Sequence, residues 1–205
     1  SKGMTRKERE REFKRQEIIY AAVKIFATKG YKSTTLDDIA EASEFGKGTI
    51  YNYFQSKEDI YKEIIISTLE KHRKSVYTIN EETDSLYNFI YELMRRLIVF
   101  SIHNREAFLL LIFTEVHHAR SMSTEISKVI EENQKEMTKF FVKKAKKAIE
   151  QMETRNVDPE KTIRLFRGIG FNYISNLLLT GKLSEEIAED EAAFITDILF
   201  NGIKY

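Results

Sequence analysis

The 205-residue chain contains no cysteine, which removes disulfides, thiolate zinc sites and thiol nucleophiles together. One proline and eight glycines are too few for the many turns of a β-rich fold. No apolar run approaches the roughly 18 residues that span a bilayer, so no membrane partner is expected. The opening residues are charged rather than signal-like, and a cytoplasmic location is the expectation. Nor does the chain contain HExxH, GxSxG, a phosphate loop or paired Glu-x-x-His, so an enzyme of helical fold would lack a catalytic constellation. We expect no catalytic residue and no cofactor. His103, His117 and His118 do not form a simple metal site, because adjacent helical residues project about 100° apart.

What the chain does contain is helix signal, and charge that is unevenly placed. Net charge is +1, yet residues 1–57 hold 12 Lys and Arg against 8 Asp and Glu, while the remainder holds 21 against 24. A basic front end on a mildly acidic body suits contact with a polyanion, although solvated helix faces produce similar counts. Thr5 and Glu8 form a capping box, and Ile18, Ala21, Ala22 and Ile25 follow at helical spacing up to Gly30. Thr34 and Thr35 precede a short helix opening at Leu36. A third begins near Gly46 or Lys47 and ends around Phe54, and Ser56 with Asp59 caps a fourth. The body then offers helices over 84–103, 104–118, 122–153, 159–180 and 185–203, with Asn104, Asp158 and Ser184 as N-caps. Nothing alternates with period two. The class is all-α, with residues 1–55 as a three-helix head and 56–205 as a larger bundle.

Residues 46–61, GKGTIYNYFQSKEDIY, concentrate tyrosine and lysine beyond what a core would hold. Two short helices joined by a tight turn suggest a helix-turn-helix, whose second helix enters the major groove of DNA. Lys47 adds charge where that helix starts, Gly48 lets a sugar-phosphate strand approach, and Thr49 supplies a hydroxyl. Tyr51 and Tyr53 are long and amphipathic enough to reach phosphates. Lys57 opens the next helix, where its charge opposes the helix dipole unless an anion is near. Each residue has a plainer reading: Tyr51 and Tyr53 as packing side chains, Lys57 as a solvated lysine. Phe54, Ile50, Phe26, Leu36 and Ile39 read as core. The basic run from Arg6 to Arg11 interleaves with Glu8, Glu10 and Glu12, which suits an exposed helix of internal ion pairs; an arm reaching the minor groove or the DNA backbone is the alternative.

These residues carry a resemblance. Ala22, Ile25-Phe26, Lys29-Gly30-Tyr31, Thr34-Thr35, Asp38-Ile39-Ala40, Gly48-Thr49-Ile50-Tyr51-Asn52-Tyr53-Phe54 and Ser56-Lys57-Glu58 together resemble the DNA-binding domain of TetR-family transcriptional regulators. The resemblance implies phosphate contacts from Thr34 or Thr35, Lys47, Thr49, Tyr51, Tyr53 and Lys57. It implies base access at Lys47, Gly48, Tyr51 and Asn52, where asparagine is chemically suited to read adenine. Two positions depart from the pattern. Ser43-Glu44-Phe45-Gly46 stands where the family usually has Ala-Gly-Val-Ser. Glu44 therefore occupies a turn position that often needs positive φ, and Gly46 replaces a capping serine.

Such a motif works on double-stranded operator DNA as a pair, so the body is expected to form a homodimer. The last two helices are the candidates, with Phe166, Gly170 and Tyr173 on one and the stripe Ala192, Ile195 and Leu199 on the other; ordinary intrachain packing is the alternative. The helix over 104–118 reads as apolar all round, hence buried on every side. With the helix over 84–103 it forms either a solid core or a cavity for a small lipophilic effector, which is what the resemblance implies. The lining would include Tyr87, Tyr91, Met94, Phe100, Phe108, Ile112 and Phe141, with Glu115 and His118 as polar contacts. Glu115 has plainer readings, as the ion-pair partner of a neighbour such as Arg96 or as a group that reaches the surface. The expected function is a repressor released from its operator by the effector. The alternative is an activator or interaction protein of the same fold.

Overall fold

The computed structural model describes residues 3–114 and 124–202, which form helices and no strand. The elements are α1 (Arg6–Lys29), α2 (Leu36–Ala42), α3 (Lys47–Tyr51), α4 (Lys57–Glu82), α5 (Leu86–His103), α6 (Arg105–Phe113), α7 (Thr124–Glu150), α8 (Pro159–Leu179), a 3-10 turn (Glu185–Ile187) and α9 (Ala188–Asn201). Their ends follow local chemistry. Thr5, Thr35 and Ser56 each complete a capping box with the residue three positions on, satisfying amides that a helix start leaves free. Asp158 accepts from the Glu160 and Lys161 amides, ahead of Pro159 at the first helical position. Asn104 and Ser184 stand at the expected starts without a side-chain cap.

Two apolar clusters hold the molecule. The first joins Ile18, Ala22 and Phe26 of α1, Ile39 of α2 and Ile50 of α3 to Ile60, Tyr61, Ile64, Ile65 and Leu69 of α4. Leu110 and Leu111 of α6 and Ile126 and Ile130 of α7 belong to the same cluster, so head packing does not stop at residue 55. The second surrounds α5, whose buried residues recur at helical spacing from Leu86 through Phe89, Ile90, Leu93, Met94 and Leu97 to Ser101. Burying one large apolar side chain contributes roughly 1.5–3 kcal/mol, so the α5 stripe is the main anchor of the body. Helix α6 is not buried all round: Phe108, Leu110 and Leu111 are, while Phe113 is exposed.

Candidate nucleic-acid interface and effector cavity

The turn between α2 and α3 is built around the departure at Glu44. Its φ is 58°, the left-handed conformation that normally calls for glycine. The Phe45 amide donates to the Ala40 carbonyl at 3.1 Å and that of Glu44 to Glu41 at 3.1 Å, closing the end of α2. Phe45 then packs half-buried against the head cluster. Gly46 has φ −65° and ψ 150° and gives α3 no side-chain cap. The motif is intact, with its turn held by backbone bonds.

Among the residues expected at DNA, the outward ones are Thr35, Lys47, Gly48, Tyr51 and Asn52, all exposed, with Thr49 and Tyr53 half-buried. Lys47 pairs with Asp37 at 2.5 Å, with both side chains more than half exposed; Asp37 holds its ammonium pKa up. An exposed pair of this kind contributes little, so a phosphate can displace Asp37. The Thr35 hydroxyl is bonded to Asp38 at 2.8 Å. Asp38 is held down to about 2, chiefly by Lys29 and then by Thr35. Tyr53 lies under the Arg11 guanidinium at 5.9 Å.

Two expected phosphate ligands face elsewhere. Thr34 is 1% exposed and its hydroxyl donates to the Gly30 carbonyl at 2.7 Å, which tightens the chain leaving α1. Lys57 donates to the carbonyls of Tyr31, Lys32 and Thr34 at 2.9, 3.1 and 2.8 Å, and its ammonium stands 4.7 Å from the Tyr31 ring centre. An ammonium has three protons, and all three have acceptors inside the head. The negative partner that its helix-start position demands is this ring of carbonyls. Lys57 clamps the α1–α2 loop.

Behind the head, one narrow cavity lies between α4, α5, α6, α7 and α8. Its lining includes Met94, Phe100, Phe108 and Phe141 together with Leu69, Leu111, Met137 and Phe171. Tyr87, Tyr91 and Ile112 are not part of it. Tyr87 turns to α9, where its hydroxyl donates to Asp197 at 2.9 Å and its ring meets Phe200. Tyr91 and Ile112 pack half-buried against the body cluster. Glu115 and His118 lie outside the described residues. Arg96, the other partner considered for Glu115, is taken by Glu82, Glu92 and Thr78. The sequence reading missed His72, Asn133, Gln134 and Arg167, all of which line the cavity. A signal existed for His72: it interrupts the apolar spacing of Leu69, Val76 and Ile79 on α4. Burial pulls its imidazole down to about 4.

Comparison with known proteins locates this architecture. Residues 18–64 match the family described as "Bacterial regulatory proteins, tetR family". Over 137 residues the chain is 31% identical to IcaR of Staphylococcus aureus (strain Newman), the negative transcriptional regulator of the biofilm operon icaADBC; the match covers 61% of this chain and 74% of IcaR. The chain belongs to the TetR family. Another TetR-type relative, the regulator YhgD of Bacillus subtilis (strain 168), is 26% identical over 145 residues, 71% of this chain and 74% of YhgD. Among solved structures, the ketosteroid regulator KstR2 of Mycobacterium tuberculosis shares the fold with TM-score 0.76 at 20% identity, covering 93% of this chain and 95% of that one. FadR from Bacillus subtilis in complex with stearoyl-CoA does so with TM-score 0.72 at 17% identity, covering 92% and 98%. These relatives and neighbours are transcriptional regulators rather than enzymes. No helix among the described residues is long and apolar enough to cross a membrane.

In this TetR-family chain the residues expected at a dimer interface divide by face. Phe166, Gly170, Ala192, Ile195 and Leu199 are all buried within the protomer. Ala192, Ile195 and Leu199 belong to the cluster around α5, and Gly170 lies so close to Met94 that an added Cβ would come within 3.0 Å of its sulfur. The opposite faces are apolar too: Leu165 and Ile169 on α8, Phe194 and Ile198 on α9, are all exposed. Tyr173, half-buried, joins these two ridges through its ring contact with Phe194 at 6.0 Å and its hydroxyl bond to Glu191 at 2.7 Å.

Proposed function

We propose that this TetR-family regulator is a homodimeric repressor, acting in the cytoplasm, that leaves its operator when a small apolar effector occupies the cavity. The observation that carries the reading is a shared wall. Leu69 and Leu111 line the cavity and also belong to the cluster that contains Ile50 of the α3 recognition helix. An effector that pushes these two side chains apart acts on the packing that orients the head. Tyr61 stands on the same path: buried on α4, it meets Phe26 and Tyr31 of the head and shares a 2.9 Å hydrogen bond with Thr114 at the end of α6. The cavity, with about 50 Å³ of open volume, is small beside the roughly 300–1,000 Å³ of drug-sized pockets. Entry of a ligand therefore requires the walls to move, so a ligand binds the widened state better than the closed one, and that difference in affinity biases the two states. IcaR is named as a negative regulator, and FadR was solved with stearoyl-CoA; both fit this reading. DNA contact comes from Thr35, Lys47, Gly48, Thr49, Tyr51, Asn52 and Tyr53, with Thr34 and Lys57 supporting the head.

Gel shifts with duplexes from around the protein's own gene test the proposal. Specific binding is expected to weaken steeply with salt, each neutralised phosphate contributing a slope of about −0.9. Binding no tighter than to random DNA at any salt would end the operator reading.

A further inference from the structure

The wall of the cavity is hydrocarbon and aromatic except at His72, Asn133, Gln134, Thr138 and Arg167. Thr138 is committed, its hydroxyl donating to the Gln134 carbonyl at 2.8 Å. His72 and Asn133 are not. His72 is 7% exposed; its ring leans on Phe100 at 5.6 Å, and no hydrogen bond among the described residues reaches it. Asn133 Oδ1 is a buried acceptor without a partner. Buried polar atoms are nearly always bonded, and leaving one unmade costs its desolvation. The two groups belong together. The ion pairs Lys62–Glu125 and Arg73–Glu136 advance by the same number of residues on both helices. Helices α4 and α7 therefore run parallel, and Asn133 comes beside the turn that carries His72.

An orphan amide oxygen needs a donor. A neutral imidazole presents one N–H and one lone pair. A hydroxyl answers both: it donates to Asn133 Oδ1 and accepts from the imidazole N–H. A carboxylate would meet Arg167 but brings only acceptors and leaves Asn133 Oδ1 unpaired, and an ammonium meets no acid among the described residues of the wall. We infer that the cavity selects a neutral, apolar molecule bearing a hydroxyl group, which His72 and Asn133 hold. This deepens, and rests on, the effector reading above.

Octan-1-ol, octane and octanoate are the probes, titrated against full-length protein while melting temperature is followed. Octan-1-ol is expected to bind about tenfold tighter than octane, the worth of a hydrogen bond or two. His72→Leu and Asn133→Leu should each bring octan-1-ol down toward octane while leaving octane binding in place. The wild-type comparison stands even where a variant does not fold. Equal binding of octan-1-ol and octane, tightest binding of octanoate, or a preference that survives both substitutions would each overturn the assignment while leaving the effector cavity standing. If none of the three raises the melting temperature, the effector reading falls, and this assignment with it.

Discussion

Lys57 shows how far a side chain's role depends on partners that are distant in sequence. Its three acceptors, the carbonyls of Tyr31, Lys32 and Thr34, leave the loop between α1 and α2 with few unpaired groups. Hydrogen bonds to a charged group contribute about 1.5–3 kcal/mol, so Lys57→Ala should destabilise the protein by about 2 kcal/mol in denaturant melts. Lys47 behaves differently, since its pair with Asp37 is exposed and contributes little to stability. Lys47→Ala should leave stability nearly unchanged and flatten the salt dependence of operator binding by about 0.9 for each protomer on the DNA. Lys57→Ala, assayed where it remains folded, should leave that slope alone. The reverse pattern in the two slopes would return Lys57 to the DNA and take Lys47 away from it.

At the scale of elements, the helix starts were legible because caps are local. Thr5, Thr35, Ser56 and Asp158 each satisfy amides within a few residues of themselves. The strain at Glu44 was legible for the same reason, since a turn of fixed length imposes its φ whatever residue stands there. Glu44→Gly should therefore raise stability by up to about 1 kcal/mol. Gly46→Ser, which adds a cap where a Cβ meets nothing within 4 Å, should add a few tenths of a kcal/mol. Thermal melts of the two variants check this, and no gain from Glu44→Gly would mean that the turn relaxes without cost. The direction in which a stripe faces was not legible. Helices α8 and α9 are apolar on two sides, and local pattern cannot say which side meets α5. The cavity lining was hidden in a similar way: α4 and α7 supply His72, Asn133 and Gln134, but each helix reads by itself as an ordinary amphipathic element.

For the whole molecule, the inward stripes of α8 and α9 leave Leu165, Ile169, Phe194 and Ile198 as an exposed apolar ridge pair, with Tyr173 between them. Scattered apolar residues are normal on a surface, but a contiguous patch marks an interaction site. A helix-turn-helix that reads two half-sites needs a rigid partner copy, and an isologous contact places the same patch on both protomers. The buried residues expected at the interface, Phe166, Gly170, Ala192, Ile195 and Leu199, instead fix α8 and α9 against α5, which leaves the outer ridges as the face for the proposed homodimer. Ile169→Glu and Ile198→Glu place charge on the outer ridges without touching the core around Ile195 and Leu199. Each should shift sedimentation from dimer to monomer with helical content intact, and each should weaken operator binding through lost pairing of heads rather than through any change at Lys47 or Tyr51. A dimer that persists in both variants would exclude this face. Monomers that still bind a full operator as tightly as the parent would separate dimerisation from DNA recognition altogether.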